Sequence, residues 1–230
     1  MRGSGKHCHV RSSKYNLSIM VVYPMEFETP HRGLTWLQYY GAHKVYHPGQ
    51  DFNFGIGNDD LGAEVKAWLG GTVEYISPVP SKWNNYNGGF GWFMIVYHPS
   101  IGLWSRYAHL RVAPKPNVGE RVEAGEKIGE CGNSGTTWAH LHFEIFNQKC
   151  WDIQNSHWRK FAWYPSGKSK SWVSDHYEDP MELIRNLMAE NDSAKAWYKQ
   201  HFPELYKKEM TEEECEQWRT FAKRIMSWTK

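Results

Sequence analysis

Four cysteines in 230 residues (Cys8, Cys131, Cys150 and Cys215) show no C-x-x-C spacing and no disulfide framework. They read as buried or free thiols rather than ligands, and they leave the compartment open. No apolar run approaches the roughly 18 residues that a membrane-spanning helix needs, so no span is expected. A block of one charge sign is missing too. Lys and Arg number 27 against 25 Asp and Glu, for a net charge of +2, which lends no support to nucleic-acid binding. Met1-Arg2-Gly3-Ser4-Gly5-Lys6-His7-Cys8-His9 carries positive charge with no apolar stretch behind it, so no secretory signal is expected; the opening also fits a tag remnant. His7-Cys8-His9 reads as flexible tail rather than a metal site. These absences leave a soluble globular protein of one large domain, or one domain with an appendage. Aromatics are plentiful, with 13 Trp and 13 Tyr, enough to fill a core and still line a groove for a glycan or peptide.

Between about residues 41 and 150 the texture is β. Thr72–Ile76, Trp92–Tyr97, Leu103–His109 and Leu141–Ile145 are rich in aromatic and β-branched residues, and turn signals separate them at 70–71, 87–89, 99–102 and 132–135. The spacing predicts an antiparallel sheet or sandwich with long loops. Residues 147–175, with four tryptophans and little periodicity, read as a long irregular connection. Asp179-Pro180 opens a short helix carrying Leu183, Ile184, Leu187 and Met188. Thr211 and Glu214 form a capping box ahead of an apolar stripe of Trp218, Phe221, Ala222, Ile225 and Met226. The fold class expected is therefore mainly β with a helical C-terminal appendage, α+β overall. Its parts are an N-terminal segment 1–40, a main domain 41–185 and a helical extension 186–230.

Chemistry concentrates at His140-Leu141-His142-Phe143-Glu144. Side chains alternate along a strand, so His140 and His142 point to the same side. Two imidazoles aimed into one space suit a metal site, whereas a packed core suits them badly because each ring nitrogen needs a partner. Upstream stand His47-Pro48-Gly49-Gln50-Asp51 and Tyr107-Ala108-His109-Leu110. A catalytic zinc needs three N or O ligands and an open position, and two His with one Asp fill those places and leave two His for proton handling. Taken singly, each segment has a plain structural reading: a surface pair, a loop salt bridge, a core histidine at a strand end. Three together argue for a metal site. Asp175-His176, Pro30-His31 and His43 have no such company and read as surface residues.

The three segments resemble those of the lysostaphin-type zinc metallopeptidases, peptidoglycan endopeptidases with the pattern H-x-G-x-D, then Y-A-H-L, then H-L-H-F-E. His47, Gly49 and Asp51 match the first, Tyr107–Leu110 the second and His140–Glu144 the third. Gly62–Ala67 and Gly71–Val73 resemble the family's early hairpin, and Val118–Gly129 with Gly132–Gly135 its turn-rich approach to the last motif. The likeness covers roughly residues 41–185. It implies one Zn²⁺ per chain held by His47, Asp51 and His142, with His109 and His140 as the catalytic proton handlers. It also implies peptidoglycan as the partner, as substrate, and places the action at the bacterial cell wall. A tyrosine several residues before the first ligand assists the oxyanion in some members, and Tyr40 is the candidate for that place. Two departures, Tyr39-Tyr40-Gly41-Ala42 where an F-G-x-R-like stretch is usual and Trp92 where an asparagine often follows the glycine, bear on the groove wall.

Three other readings compete. A zinc-free relative that binds and activates a cell-wall amidase usually lacks ligands, whereas all five positions are filled in this chain. A glycan-binding β domain leaves the five residues unexplained. A biotinyl- or lipoyl-carrier hairpin needs an exposed lysine at its tip, between small or Met residues, and none occurs.

Overall fold

The computed structural model describes residues 20–27, 33–41, 44–77, 89–157 and 161–201. Val21–Asn186 form one compact unit. Among the described residues, eleven strands and three helices follow in chain order. The first five strands are β1 (Tyr39–Tyr40), β2 (Val45–Tyr46), β3 (Gln50–Phe52), β4 (Glu64–Lys66) and β5 (Gly71–Ile76). Next come β6 (Trp92–His98), β7 (Leu103–Leu110), β8 (Arg121–Val122), β9 (Lys127–Glu130) and β10 (Leu141–Phe146). After these come α1 (Gln148–Ser156), α2 (Lys170–His176), β11 (Tyr177–Glu178) and α3 (Pro180–His201). The fold is mostly antiparallel β with three helices, α+β.

The main sheet has seven strands, in the order β11-β10-β7-β6-β5-β8, with β3 also paired to β10. Along one edge of β10, β3 covers residues 141–143 and β11 covers 145–146; β7 runs along the other edge. Alternation then sorts the two faces. Tyr107 and Phe143 pack with Trp68 on one side. Phe93, Ile95, Trp104 and Phe146 build the opposite core, joined by Cys150 of α1 and Val173 of α2. His142, Glu144 and Phe146 share that second face, so one row of β10 runs from polar to fully apolar.

Three expectations change. The segment 147–175 is not an irregular connection, because it carries α1 and α2. Asn147 caps α1 by accepting from the Lys149 and Cys150 amides, and Ser169 caps α2 by accepting from the Trp172 amide. The apolar stripe that would betray α1 is missing because one of its two buried residues is Gln154, which donates to the Trp163 carbonyl at 3.0 Å. Second, Gly62–Ala67 and Gly71–Val73 do not form a hairpin: β4 pairs with β9, whereas β5 pairs with β6 and β8. Buried Trp68 and Leu69 lie between them, and the Trp68 amide donates to the Tyr107 hydroxyl at 3.0 Å across the fold. Third, the helix at Pro180 runs 22 residues rather than stopping short, started by Asp179, which accepts from the Met181 and Glu182 amides. The stripe at 218–226 and its capping box lie outside the described residues.

Candidate active site

Register builds the centre of the site. Asp51 is the direct antiparallel partner of His142 across β3 and β10, and Ala108 is its partner across β7. His47 comes from the turn between β2 and β3 and is anchored at both ends, its amide donating to the Gln38 carbonyl and its carbonyl accepting from the Leu37 amide. The glycine two residues on is sterically required, because a Cβ at Gly49 would run into the Phe143 carbonyl of β10. Gly33 likewise lies against the Asp51 side chain, and the Leu34 amide donates to Asp51 Oδ2 at 3.1 Å.

These constraints bring His47 Nε2, Asp51 Oδ1 and His142 Nδ1 together. The separations are 3.0 Å for His47–His142, 3.0 Å for His142–Asp51 and 3.2 Å for His47–Asp51, with all three residues buried. A ring nitrogen carries at most one proton and points it one way, so three mutual approaches at this range cannot all be good hydrogen bonds. A shared cation satisfies all three. Tetrahedral zinc with N and O ligands at about 2.0–2.1 Å has edges of about 3.3 Å, close to those found. The donor set therefore fits a zinc ion.

Behind the cluster lies a buried charge chain. His142 Nε2 donates to Glu144 Oε1 at 2.8 Å, and Arg106 Nη1 donates to Glu144 Oε2 at 2.8 Å. Arg106 Nη2 donates to the Phe161 carbonyl at 3.1 Å, and the guanidinium lies 4.1 Å over the Phe90 ring. Among the described residues, His47 Nδ1 has no hydrogen-bond partner. Charge follows geometry. Burial alone would lower the pKa of His142, but its bonds to Asp51 and Glu144 outweigh that and hold the ring up to about 9. Burial would raise Asp51, yet the His47 charge and the bonds to His142 and His47 carry it well below the usual carboxylate value. Glu144 is likewise lowered against burial, chiefly by Arg106.

His109 reaches the site by an irregularity. Plain alternation would send it to the face of Tyr107, away from His142. The β6–β7 register shifts between Trp92 and Met94, and His109 takes φ +60°, in the left-handed region. The ring thereby turns toward the cluster, 4.6 Å from His140 and 5.9 Å from His142 by ring centres. Its Nδ1 donates to the Ser134 carbonyl at 2.8 Å, and Nδ1 of His140 donates to the Trp138 carbonyl at 3.0 Å. A carbonyl only accepts, so in each neutral ring Nε2 is the bare nitrogen. Burial, then the charges of His140 and His142, push the His109 pKa well below the usual imidazole value, which keeps the ring neutral.

A cleft of about 340 Å³ opens over these five residues. Tyr40, Phe90, Tyr164 and the glycine pair Gly89 and Gly135 line it as well. Gly89 and Gly135 have φ +86° and +77°, and a Cβ on Gly135 would strike the Gly89 carbonyl, so only glycines let these two loops touch. All five histidine and aspartate positions singled out in the sequence thus share one cleft, as does Tyr40. His176 does not join them and is not a surface residue: it is buried and stacks on Trp172 at 3.7 Å. His31, His43 and the His7-Cys8-His9 tail lie outside the described residues. Sequence reasoning passed over Arg106, Phe161 and Tyr164. A charged residue inside the strand Leu103–Leu110 was the available signal for Arg106, while nothing local marks Tyr164.

Residues 45–154 match the family model described as Peptidase family M23. No curated protein matches the chain. Among solved structures, the catalytic domain of the antimicrobial peptidase lysostaphin from Staphylococcus simulans is 25% identical over 66% of this chain and 90% of that one, with a TM-score of 0.44. A longer lysostaphin chain is 24% identical over 67% of this chain and 49% of its own, TM-score 0.45, so this chain spans about half its length. A zinc containing peptidase from Vibrio cholerae is 25% identical over 55% of this chain and 37% of that one, TM-score 0.41. Among the described residues no helix is long and apolar enough to cross a membrane.

Proposed function

We propose, on the premise that residues 45–154 form a domain of peptidase family M23, that the chain is a zinc-dependent endopeptidase hydrolysing peptide bonds of bacterial peptidoglycan. His47, Asp51 and His142 hold one zinc ion per chain, while His109 and His140 move protons. The observation that carries this reading is the convergence of three buried ligand atoms at 3.0–3.2 Å on the floor of an open cleft. When bound, zinc supplies Lewis acidity toward the scissile carbonyl and lowers the pKa of water to about 7.

The protein's own groups supply the rest. His109 Nε2, bare and neutral, takes a proton from the attacking water and returns it to the leaving amine, acting as base and then acid at one atom. His140 has the same tautomer 4.6 Å away by ring centres and is the second carrier; protonated, it stabilises negative charge developing on the carbonyl oxygen. The Tyr164 hydroxyl is kept protonated by burial and by the nearby Glu144 and Asp51 charges, so it serves the cleft as a donor.

Metal analysis beside a cell-wall turbidity assay tests the reading. About one zinc per chain and lysis of walls are expected, with both lost in His47→Ala and His142→Ala. Unaltered lysis in both variants overturns the metalloenzyme. Wild-type protein that leaves walls intact but binds a wall amidase tightly is instead the non-catalytic activator.

A further inference from the structure

The pair Arg106–Glu144 is fully buried on a face otherwise built from Phe90, Phe93 and Phe146, with both side chains 0% exposed. An ion pair in such a place is weak evidence for stability, since apolar residues of similar volume often do as well or better. Its placement gives it another use. We infer that the Glu144–Arg106 pair is a positioning device for His142, fixing the ring so that Nε2 bears a proton and Nδ1 faces His47 and Asp51. The inference rests on the metal reading for its purpose but not for its geometry.

Three facts support it. A carboxylate only accepts, so the 2.8 Å contact to Glu144 keeps a hydrogen on Nε2, and Nδ1, 3.0 Å from Asp51, is the nitrogen that gives up its proton when a metal binds. Glu144 cannot swing away, because its other oxygen is held by Arg106 at 2.8 Å. Arg106 in turn is fixed by the Phe161 carbonyl and by its seat over Phe90. His47 offers the contrast: its rear nitrogen has no hydrogen-bond partner among the described residues, so the orienting contacts are concentrated on His142. Glu144 and Arg106 are direct cross-strand partners, as are His142 and Ala108, so the register of β7 and β10 sets the whole device.

The test uses the full chain, with zinc as the probe. Glu144→Gln alone strands a buried guanidinium, so Glu144→Gln combined with Arg106→Met, which removes both charges, is the decisive variant. Two readouts are taken: the His142 Nε2–H resonance in metal-free protein, and the zinc Kd by competition with a chelator. Wild type is expected to show a slowly exchanging Nε2–H. In the double variant that resonance is expected to exchange rapidly and the zinc Kd to rise about 10- to 100-fold. Arg106→Lys, which keeps a cation near Glu144, is expected to retain the resonance and lose less affinity. An unchanged Nε2–H resonance in the double variant overturns the inference, as does an unchanged Kd. Should the wild type bind no zinc, the metal reading fails, while the metal-free resonance still decides whether Glu144 and Arg106 orient His142.

Discussion

Asp51 and His142 face each other as direct partners on adjacent antiparallel strands, with Asp51 Oδ1 and His142 Nδ1 3.0 Å apart. A slip of one residue between β3 and β10 would turn Asp51 to the other face of the sheet. Strand pairing, rather than loop conformation, sets the distance between these two atoms.

The two histidines of His140-Leu141-His142 separate by experiment. His142→Ala is expected to lose zinc and turnover together. His140→Ala is expected to keep about one zinc per chain while turnover falls about 10²- to 10⁴-fold, the usual worth of a positioned proton carrier. Equal zinc loss in both variants would contradict the division of labour.

On the proposed metal site, proton and metal would compete for His142. Its pKa is raised from 6.5 to about 9 in the metal-free protein, so a proton must leave before zinc binds below that pH. Zinc affinity is expected to climb about tenfold per pH unit from 7 toward 9 and then to level off. Stability of the metal-free fold has the opposite sign. The contribution from the raised His142 pKa is fully present below about 6.5 and is lost as pH rises through about 9. Thermal unfolding of chelator-treated protein between pH 6 and 9.5 checks this, and a midpoint that rises over the range would refute it.

Gly49 is read as part of a motif, but its role is spatial. Gly49→Ala drives a methyl group into the Phe143 carbonyl, and a loss of more than about 2 kcal/mol is expected, in line with strain at a close backbone approach. Urea unfolding of the variant, with zinc content measured alongside, gives the answer.

Backbone strain at His109 can be separated from its chemistry. A non-glycine residue at φ +60° costs on the order of 1–3 kcal/mol. His109→Ala and His109→Gly are both expected to abolish turnover and keep zinc. The glycine variant should be the more stable of the two by about 1 kcal/mol. Equal unfolding midpoints would mean that the position is not strained.

Much of the site was legible because it depends on spacing. The separations His47 to Asp51 and His140 to His142 are short: alternation along the β10 segment puts the second pair on one face, and the turn from β2 into β3 brings the first together. His109 was legible only as a member of a motif. Alternation alone misplaces it, since a register shift and a left-handed φ turn its ring into the cleft. Arg106 and Phe161 escaped because their contacts are long-range: Arg106 reaches Glu144 across 38 residues of sequence, and Phe161 holds Arg106 across 55. In the fold, the strands at 92–97, 103–109 and 141–145 were plain, as aromatic and β-branched runs are. Helix α1 was hidden by the polar Gln154 on its buried side.

Asp51 and His142 are 91 positions apart in the chain. An ion gripping both would therefore act as a clasp, closing a long loop and relieving the folded state of competition from open forms in which the β3 segment drifts free. Three paired positions hold β3 to β10 without it. Chelation should accordingly loosen the β3 segment first, ahead of the rest of the sheet, so that a protease added with a chelator would nick this protein before it lost its overall shape.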